Sequence, residues 1–208
     1  HGFVLDEKNR KMSKSLGNVV DPQKVIDQSG ADILRLWVVA SDYSQDLSIG
    51  PNILKQMSDL YRRLRNTFRY ILGNLNGFSE AERVDEADMP ELERWVLNRL
   101  WQMDKRIRQA CMSYDFHGLF NELHHFCAVE LSAFYFDIRK DVIYCDAPNS
   151  LRRRAARTLL DTLYTCLVKW LAPFICFTAE EVWLARNPSD DDSIHLQQFP
   201  EVPETWCN

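Results

Sequence analysis

Residues 11–18 read Lys11-Met12-Ser13-Lys14-Ser15-Leu16-Gly17-Asn18, and this stretch determines how the rest of the chain is interpreted. Two lysines lie three residues apart among small hydroxyl side chains. Asp21-Pro22 behind them predicts a helix start, with an N-cap followed by proline. Ammonium, hydroxyl and backbone N–H groups in such a loop can surround phosphate groups. The same composition is typical of an ordinary solvated surface loop, so composition by itself leaves both interpretations open.

The composition sets limits on the class of protein. The 208 residues are 46% hydrophobic, which predicts one sizeable core, or one core with a small appendage. A net charge of -5 means that any nucleic-acid site must be a local basic patch. The six cysteines form no C-x-x-C pair, which argues against a zinc ribbon and predicts free, mostly buried thiols. With no visible signal peptide and no membrane-length apolar run, we expect a cytoplasmic protein with no membrane partner.

Apolar periodicity predicts a mainly α fold, an antiparallel bundle of four or five helices preceded by a small α/β segment. Phe3-Val4-Leu5 and the polar turn behind it predict a strand or hairpin that leads into the lysine loop. Thr178 and Glu181 resemble a capping box, and residues 194–196 are expected to be extended. The predicted helices span residues 22–28, 31–40, 51–76, 91–112, 114–144, 151–171 and 174–186.

Arginines gather at two places along the predicted helices. Arg62, Arg65 and Arg69 are three and four residues apart, so they share one face of their helix, where they can neutralise phosphates or simply be solvated. Arginines from position 152 onward open another helix and oppose its dipole, which favours phosphate binding or pairing with acids on a neighbouring element. Our candidates for nucleic-acid contacts are Arg62, Arg65, Arg69, Arg152 and Arg153.

Three histidines invite a metal interpretation, which we reject. His124 and His125 are adjacent and point about 100° apart on a helix. His117 lies two turns before His124, and no cysteine or carboxylate completes a tetrahedral set. We therefore predict no metal site in this chain.

Residues 11–15 resemble the nucleotide-loop signature of class I aminoacyl-tRNA synthetases, and the string through Pro22 is similar to their isoleucine, valine and leucine branch. Further similarities to this branch lie at residues 30–35, 41–46, 134–141 and 171–183, so the resemblance covers essentially the whole chain. Leu16 and residues 42–46 favour the isoleucine-specific members. The valine- or leucine-specific members remain alternatives, as does a stand-alone helical RNA-binding or scaffold module.

The resemblance implies an organisation and a set of partners. Residues 1–50 would end a catalytic domain and contact the tRNA stem, residues 51–187 would form a helical anticodon-binding domain, and residues 188–208 would begin a truncated extension. The complete enzyme would join isoleucine to its tRNA through an aminoacyl-adenylate, with ATP as substrate and Mg²⁺ beside it. We expect a monomer, and we expect this part alone to be inactive because the other catalytic motifs are missing.

The resemblance also implies roles for the loop residues. Lys14 would stabilise the ATP triphosphate during adenylate formation, and Lys11 would assist it. Ser13 and Ser15 would donate hydrogen bonds, and Met12 would anchor the loop by packing. ATP binding is thus assigned to Lys11, Met12, Ser13, Lys14 and Ser15, with Lys14, Lys11 and Ser13 as the catalytic candidates.

Overall fold

The computed structural model describes residues 2–207. His1 belongs to the first segment predicted above and Asn208 to the last, and both lie outside the described residues. The fold is mainly helical, as predicted. Two short strands, Val4–Leu5 (β1) and Leu47–Ser48 (β2), form the described sheet. The α-helices are Pro22–Ser29 (α1), Ala31–Val39 (α2), Pro51–Asn74 (α3), Glu91–Ser113 (α4), Phe116–His125 (α5), Phe136–Cys145 (α6), Leu151–Leu171 (α7) and Cys176–Arg186 (α8).

The N-terminal segment combines a hairpin with two short helices. β1 runs parallel to β2 with Val4 opposite Leu47, and Leu5 also forms an antiparallel bridge to Lys11, which confirms a strand that leads into the lysine loop. The Asp21 carboxylate accepts a hydrogen bond from the backbone N–H of Gln23 at 3.0 Å, so the predicted N-cap of α1 is confirmed. Gly30 separates α1 from α2, and its backbone has a φ of +86°, which residues other than glycine rarely adopt.

Helix α7 is the centre of the bundle and packs against α3, α4, α6 and α8. Its residues are buried on most sides, which is typical of a helix that is surrounded rather than laid on a surface. The predicted core face of α3 is only partly right. Its second half buries Leu64, Phe68 and Ile71, whereas the apolar residues of its first half stay half-exposed.

The helix predicted over residues 114–144 begins at Phe116 and continues to Cys145, but its middle is wound differently. Residues Phe126–Tyr135 form a π-helical segment between α5 and α6, with helical backbone angles at both junctions. Here the Ser132 hydroxyl donates to the carbonyl of Cys127, five residues earlier, at 2.8 Å. π-Helical turns cannot be read from apolar periodicity, because they change the winding without interrupting the apolar run.

Three local predictions are wrong. Thr178 does not open a capping box, because α8 begins two residues earlier, at Cys176. The Thr178 amide instead donates to Asp32 on α2. Residues Ile194–Leu196 form a 3₁₀ turn rather than an extended stretch, since the Ser193 hydroxyl accepts from the His195 amide. All six cysteines are free, but only Cys127 and Cys166 are buried.

None of the helices described within residues 2–207 combines the length and the apolar content needed to cross a membrane.

Candidate nucleotide loop and nucleic-acid interface

The lysine loop, residues 11–18, is held by a buried carboxylate that precedes it. Asp6 is 7% exposed and accepts hydrogen bonds from the backbone N–H groups of Lys8 and Arg10, each at 2.9 Å. The Arg10 guanidinium donates to the same carboxylate at 2.9 Å, and the Asn18 carboxamide does so at 3.0 Å. Asp6 therefore fixes both the turn that enters the loop and the residue that closes it.

These donors stabilise the charged form of Asp6. The hydrogen bond from Asn18, with that from the Arg10 backbone next, holds the pKa of this carboxyl well below its usual range. A lowered pKa in the folded state means that the ionised carboxylate stabilises the fold at neutral pH. This contribution is lost as the pH falls below the ordinary aspartate pKa and through the folded one.

Hydrogen bonds between residues close in sequence shape the interior of the lysine loop. The Asn18 side chain accepts from the Ser13 amide at 2.9 Å and donates to the Lys11 carbonyl at 3.2 Å, so Asn18 spans the loop. The hydroxyl of Ser13 lies 3.1 Å from that of Ser15 and accepts from the Leu16 amide at 3.3 Å. The Val20 amide donates to the Met12 sulfur at 3.4 Å, so Met12 contacts the segment that follows the loop.

The two lysines themselves point into solvent. Lys11 and Lys14 are exposed, and no ion pair engages either ammonium group among residues 2–207. A cation without a carboxylate partner keeps its full charge for an incoming anion. The loop thus presents two free ammonium groups above an ordered base of hydroxyls and amides, an arrangement suited to polyphosphate.

The segment that carries the loop is tied to the bundle by side chains at helix ends. Asp32, on α2 and 6% exposed, accepts from the Thr178 amide at 2.8 Å and from the Thr178 hydroxyl at 2.6 Å, so it caps the N-terminus of α8. On the same face of α2, Arg35 donates to the carbonyls of Pro173 and Phe174 just after α7. Each charge opposes the partial charge of the helix end that it meets, which stabilises the junction.

Three arginines on α3 form an exposed row. Arg62, Arg65 and Arg69 are all exposed, and their spacing puts them on one side of the helix. Arg62 pairs with Asp59 at 3.0 Å in a contact that water screens, whereas Arg65 and Arg69 have no ion-pair partner within the described chain. We call residues 62, 65 and 69 the α3 arginine row.

The arginines that open α7 are placed differently. Arg154 donates to the carbonyls of Glu82 and Arg83, and Arg157 is buried, with its guanidinium 3.1 Å from Glu82. The pairing alternative stated for this group therefore applies to Arg157. Arg153 donates to the Ile143 carbonyl at 3.1 Å, and Arg152 is exposed, 3.9 Å from Asp146. These two candidates lie together at the start of α7, away from α3 in sequence.

A buried ion pair joins α4 to α6. Glu93, with no exposed surface, accepts two hydrogen bonds from the Arg139 guanidinium at 2.6 and 2.9 Å, and a third from the Tyr135 hydroxyl at 3.0 Å. Burial, with Glu93 next in effect, raises the pKa of Tyr135 well above its ordinary value, so its hydroxyl remains a donor. The Tyr135 hydrogen bond also fixes the end of the π-helical segment to α4.

His117 is the first of the three histidines for which a metal role was considered above. The ring of His117 bonds the Ala40 carbonyl at 2.8 Å, which gives it a structural role at the junction. Within residues 2–207, His, Cys, Asp and Glu side chains nowhere form a group of three that could hold a metal ion.

Sequence reasoning missed Asp6, Asn18 and Asp32 as organising residues. Each acts on an element distant in sequence or on a backbone amide, and neither kind of contact leaves a periodic signal. A partial signal existed for Asn18, because it directly follows Gly17.

Two parts of the chain match models of known protein families. Residues 93–208 match the family model of the anticodon-binding domain of tRNA ligase, and residues 1–50 match that of class I tRNA synthetases (I, L, M and V). The isoleucine–tRNA ligase of Ruegeria pomeroyi is 56% identical over 100% of this chain and 21% of its own length. That of Pelagibacter ubique is 49% identical over 99% of this chain and 23% of its own. The chain thus spans about a fifth of the curated relatives that it matches.

Solved structures show the same fold at low sequence identity. A leucyl-tRNA synthetase from Agrobacterium radiobacter, in a ternary complex with tRNA, superposes with a TM-score of 0.72 at 22% identity. It covers 100% of this chain, which corresponds to 24% of that protein. A methionyl-tRNA synthetase from Mycobacterium tuberculosis, solved with methionyl-adenylate, gives 0.71 at 19% identity, over 88% of this chain and 36% of its own.

Proposed function

We propose a role in tRNA aminoacylation for this chain, which belongs to the anticodon-binding domain family of tRNA ligases. In the whole protein, the lysine loop would act on ATP, and the bundle would hold the anticodon stem and loop of an isoleucine tRNA. The isoleucine–tRNA ligases that match the chain from end to end support this assignment over the valine, leucine and scaffold alternatives. The loop with its two unpaired ammonium groups is the observation that carries the proposal.

The lysine loop would act by electrostatic stabilisation. Negative charge develops on phosphate oxygens when the isoleucine carboxylate attacks the α-phosphorus of ATP and pyrophosphate leaves. Lys14 would neutralise that charge, with Lys11 assisting, and the hydroxyls of Ser13 and Ser15 would donate to phosphate oxygens. Met12 and Asp6 would hold the loop in shape without touching the nucleotide. Mg²⁺ would accompany the ATP phosphates.

The bundle would act by phosphate contacts and by reading unpaired bases. We assign the phosphate contacts to Arg62, Arg65 and Arg69, with Arg152 and Arg153 as a second group at the start of α7. Residues 75–90 form an acidic connector between α3 and α4. Arg83 holds this connector toward α7 by bridging Glu80 and Asp161 at 2.6 Å each. Carboxylates held there would not repel RNA that approaches the α3 arginine row.

The remaining assignments follow from the same role. Residues 1–50 would complete a catalytic domain, residues 51–187 would be the anticodon-binding domain, and residues 188–208 would be a C-terminal extension. We propose that the whole protein works as a cytoplasmic monomer. The 208-residue chain by itself would not activate isoleucine, because the rest of the catalytic domain is needed to bind it.

Amino-acid-dependent exchange of pyrophosphate into ATP tests the proposal. We expect the full-length protein that contains this chain to give the highest kcat/KM with isoleucine, a lower value with valine and almost none with leucine. Exchange that prefers leucine, or valine over isoleucine, would contradict the assignment. The separate 208-residue chain is the negative control, and isoleucine-dependent exchange by it would refute the prediction that it is inactive.

A further inference from the structure

Glu7, the residue next to Asp6, lies against the first turn of α3. Its Oε1 accepts from the backbone N–H groups of Asn52 and Ile53, at 2.6 and 3.0 Å. Its Oε2 accepts from the Asn52 carboxamide at 3.0 Å. The N-cap residue of α3 itself, Gly50, has no side chain that could perform this function, so Glu7 supplies the cap from 45 residues away.

Gly50 is shaped to admit this carboxylate. Its backbone is fully extended, with φ 174°, so its conformation suits any residue. A Cβ atom at this position would lie only 2.6 Å from Cδ of Glu7, however, which is far inside van der Waals contact. The absence of a side chain at Gly50 is therefore explained by the close approach of Glu7 and by nothing in the local backbone.

Two adjacent carboxylates thus face two different partners. Asp6 holds the lysine loop through Asn18 and Arg10, and Glu7 holds α3, the helix that carries the arginine row. Neighbouring residues of one tight turn cannot move independently, because the Asp6 amide is bonded to the Arg10 carbonyl and the Asn9 amide to the Asp6 carbonyl. A movement of the first turn of α3 would therefore also move the base of the loop.

We propose that Glu7 is a positioning residue for the reaction at the lysine loop. By fixing the loop's hairpin to α3, it sets the position of the Lys11 and Lys14 ammonium groups relative to ATP. This inference rests on the proposed function. Glu7 touches no substrate and acts through Asp6 and the hairpin. Since catalysis by a charged loop depends on placement to within about 1 Å, a released hairpin lowers the rate of the chemical step.

Isoleucine-dependent pyrophosphate exchange by the full-length protein tests this inference with a double-mutant cycle. We expect Glu7→Ala to lower kcat by about tenfold with the KM for isoleucine unchanged, because the loop does not hold the amino acid. Gly50→Ala should have a similar effect, since it displaces the Glu7 carboxylate while keeping every charge. In the Glu7→Ala background, Gly50→Ala should have almost no further effect, because the shortened side chain at position 7 leaves room for the added Cβ.

Two further variants separate positioning from general stability. Glu7→Gln keeps an acceptor oxygen for Asn52 and Ile53 and should restore most of kcat. Glu180→Ala is the matched control, because the Glu180 carboxylate also accepts from a backbone amide, that of Ile194 at 3.0 Å, far from the loop in sequence. It should lower the melting temperature as much as Glu7→Ala does, yet leave kcat unchanged.

The outcomes are distinguishable. A wild-type protein without exchange overturns both the proposed function and this inference. An active wild type with unchanged kcat in Glu7→Ala and Gly50→Ala overturns this inference alone, as do additive effects in the double variant or an equal loss of kcat in Glu180→Ala. If Glu7→Ala does not fold, Gly50→Ala and Glu7→Gln decide: a wild-type kcat in Gly50→Ala contradicts the inference, and a loss of about tenfold there with near-normal kcat in Glu7→Gln supports it.

Discussion

The lysine loop and the interior of the bundle hold their charges in opposite ways. In the loop, the carboxylate is buried and the cations are exposed. Asp6 accepts four hydrogen bonds, whereas Lys11 and Lys14 are exposed and form no ion pair within residues 2–207. In the bundle, cations and anions are used together, as in the pair of Glu93 with Arg139. The contrast separates charges that maintain the fold from charges that are available to a ligand.

The α3 arginine row follows the loop rather than the bundle interior. Arg65 and Arg69 are exposed and unpaired within residues 2–207, whereas Arg154 and Arg157 hold backbone carbonyls of the connector. Arginine counts alone would rank the α7 group above the α3 group, because it has four members at one helix start. Because Arg154 and Arg157 donate to backbone carbonyls, these two are less available to a ligand than the α3 arginine row.

Removing one partner of the buried pair should have the largest effect on stability. Glu93→Ala leaves the Arg139 guanidinium and the Tyr135 hydroxyl without their acceptor, and we expect it to destabilise the 208-residue chain by about 3–5 kcal/mol in urea unfolding. Asp137→Ala is the control, since it removes the exposed partner of Lys140, a pair of 2.7 Å, and should cost less than about 1 kcal/mol. Equal losses would erase the contrast between the two regions.

Removing a free cation should instead affect activity without affecting stability. We expect Lys14→Ala to lower kcat for pyrophosphate exchange in the full-length protein by about 10²–10³-fold, the cost of deleting one preorganised group that stabilises developing charge. Lys11→Ala should have a smaller effect, and the melting temperature should not change for either variant. The exposed Lys55→Ala, on α3, serves as the control for general loss of positive charge. A destabilised but fully active Lys14→Ala protein would contradict the account.

The junction should lie between these extremes. Asp32→Asn removes the charge that caps α8, and we expect a loss of about 1–2 kcal/mol in unfolding free energy, in the range of a helix N-cap. Asp27→Asn, a change of the same chemistry at an exposed residue of α1 that bonds Gln23, should be nearly neutral. Equal, near-zero effects of the two variants in urea unfolding would show that the Asp32 carboxylate does not stabilise the junction of α2 with α8.

Asp6 should give the smallest effect, visible as a dependence on pH. Because its pKa is lowered in the folded state, its stabilising contribution is complete above about pH 5 and declines as the pH falls through about 4 and below. The melting temperatures of wild type and Asp6→Asn should therefore differ at about pH 7, and the difference should shrink steadily as the pH falls from about 4 to about 2. A difference that is constant across this range would show that the ionised carboxylate is not what holds the loop.

The sequence predicted the helices well, because a sustained apolar repeat depends only on which residues face the core. It also located the lysine loop, since ammonium and hydroxyl groups cluster there within a short stretch. It could not predict Asp32 at the start of α8 or Glu7 at the start of α3. Those contacts join residues 146 and 45 positions apart, and tertiary packing alone brings them together. The π-helical winding was missed because a wider turn leaves the apolar composition unchanged.

The exposed, unpaired Arg65 and Arg69 should bind tRNA, and Arg154, whose guanidinium holds backbone carbonyls, should not. The salt dependence of tRNA binding tests this difference. We would measure affinity of the full-length protein for isoleucine tRNA across a salt series for wild type, the double variant Arg65→Gln/Arg69→Gln, and Arg154→Gln. The account predicts that the double variant binds more weakly and that its slope of log affinity against log salt is shallower by about 1–2, with the Arg154→Gln slope unchanged. Identical slopes for wild type and the double variant, or a shallower slope for Arg154→Gln, would contradict it.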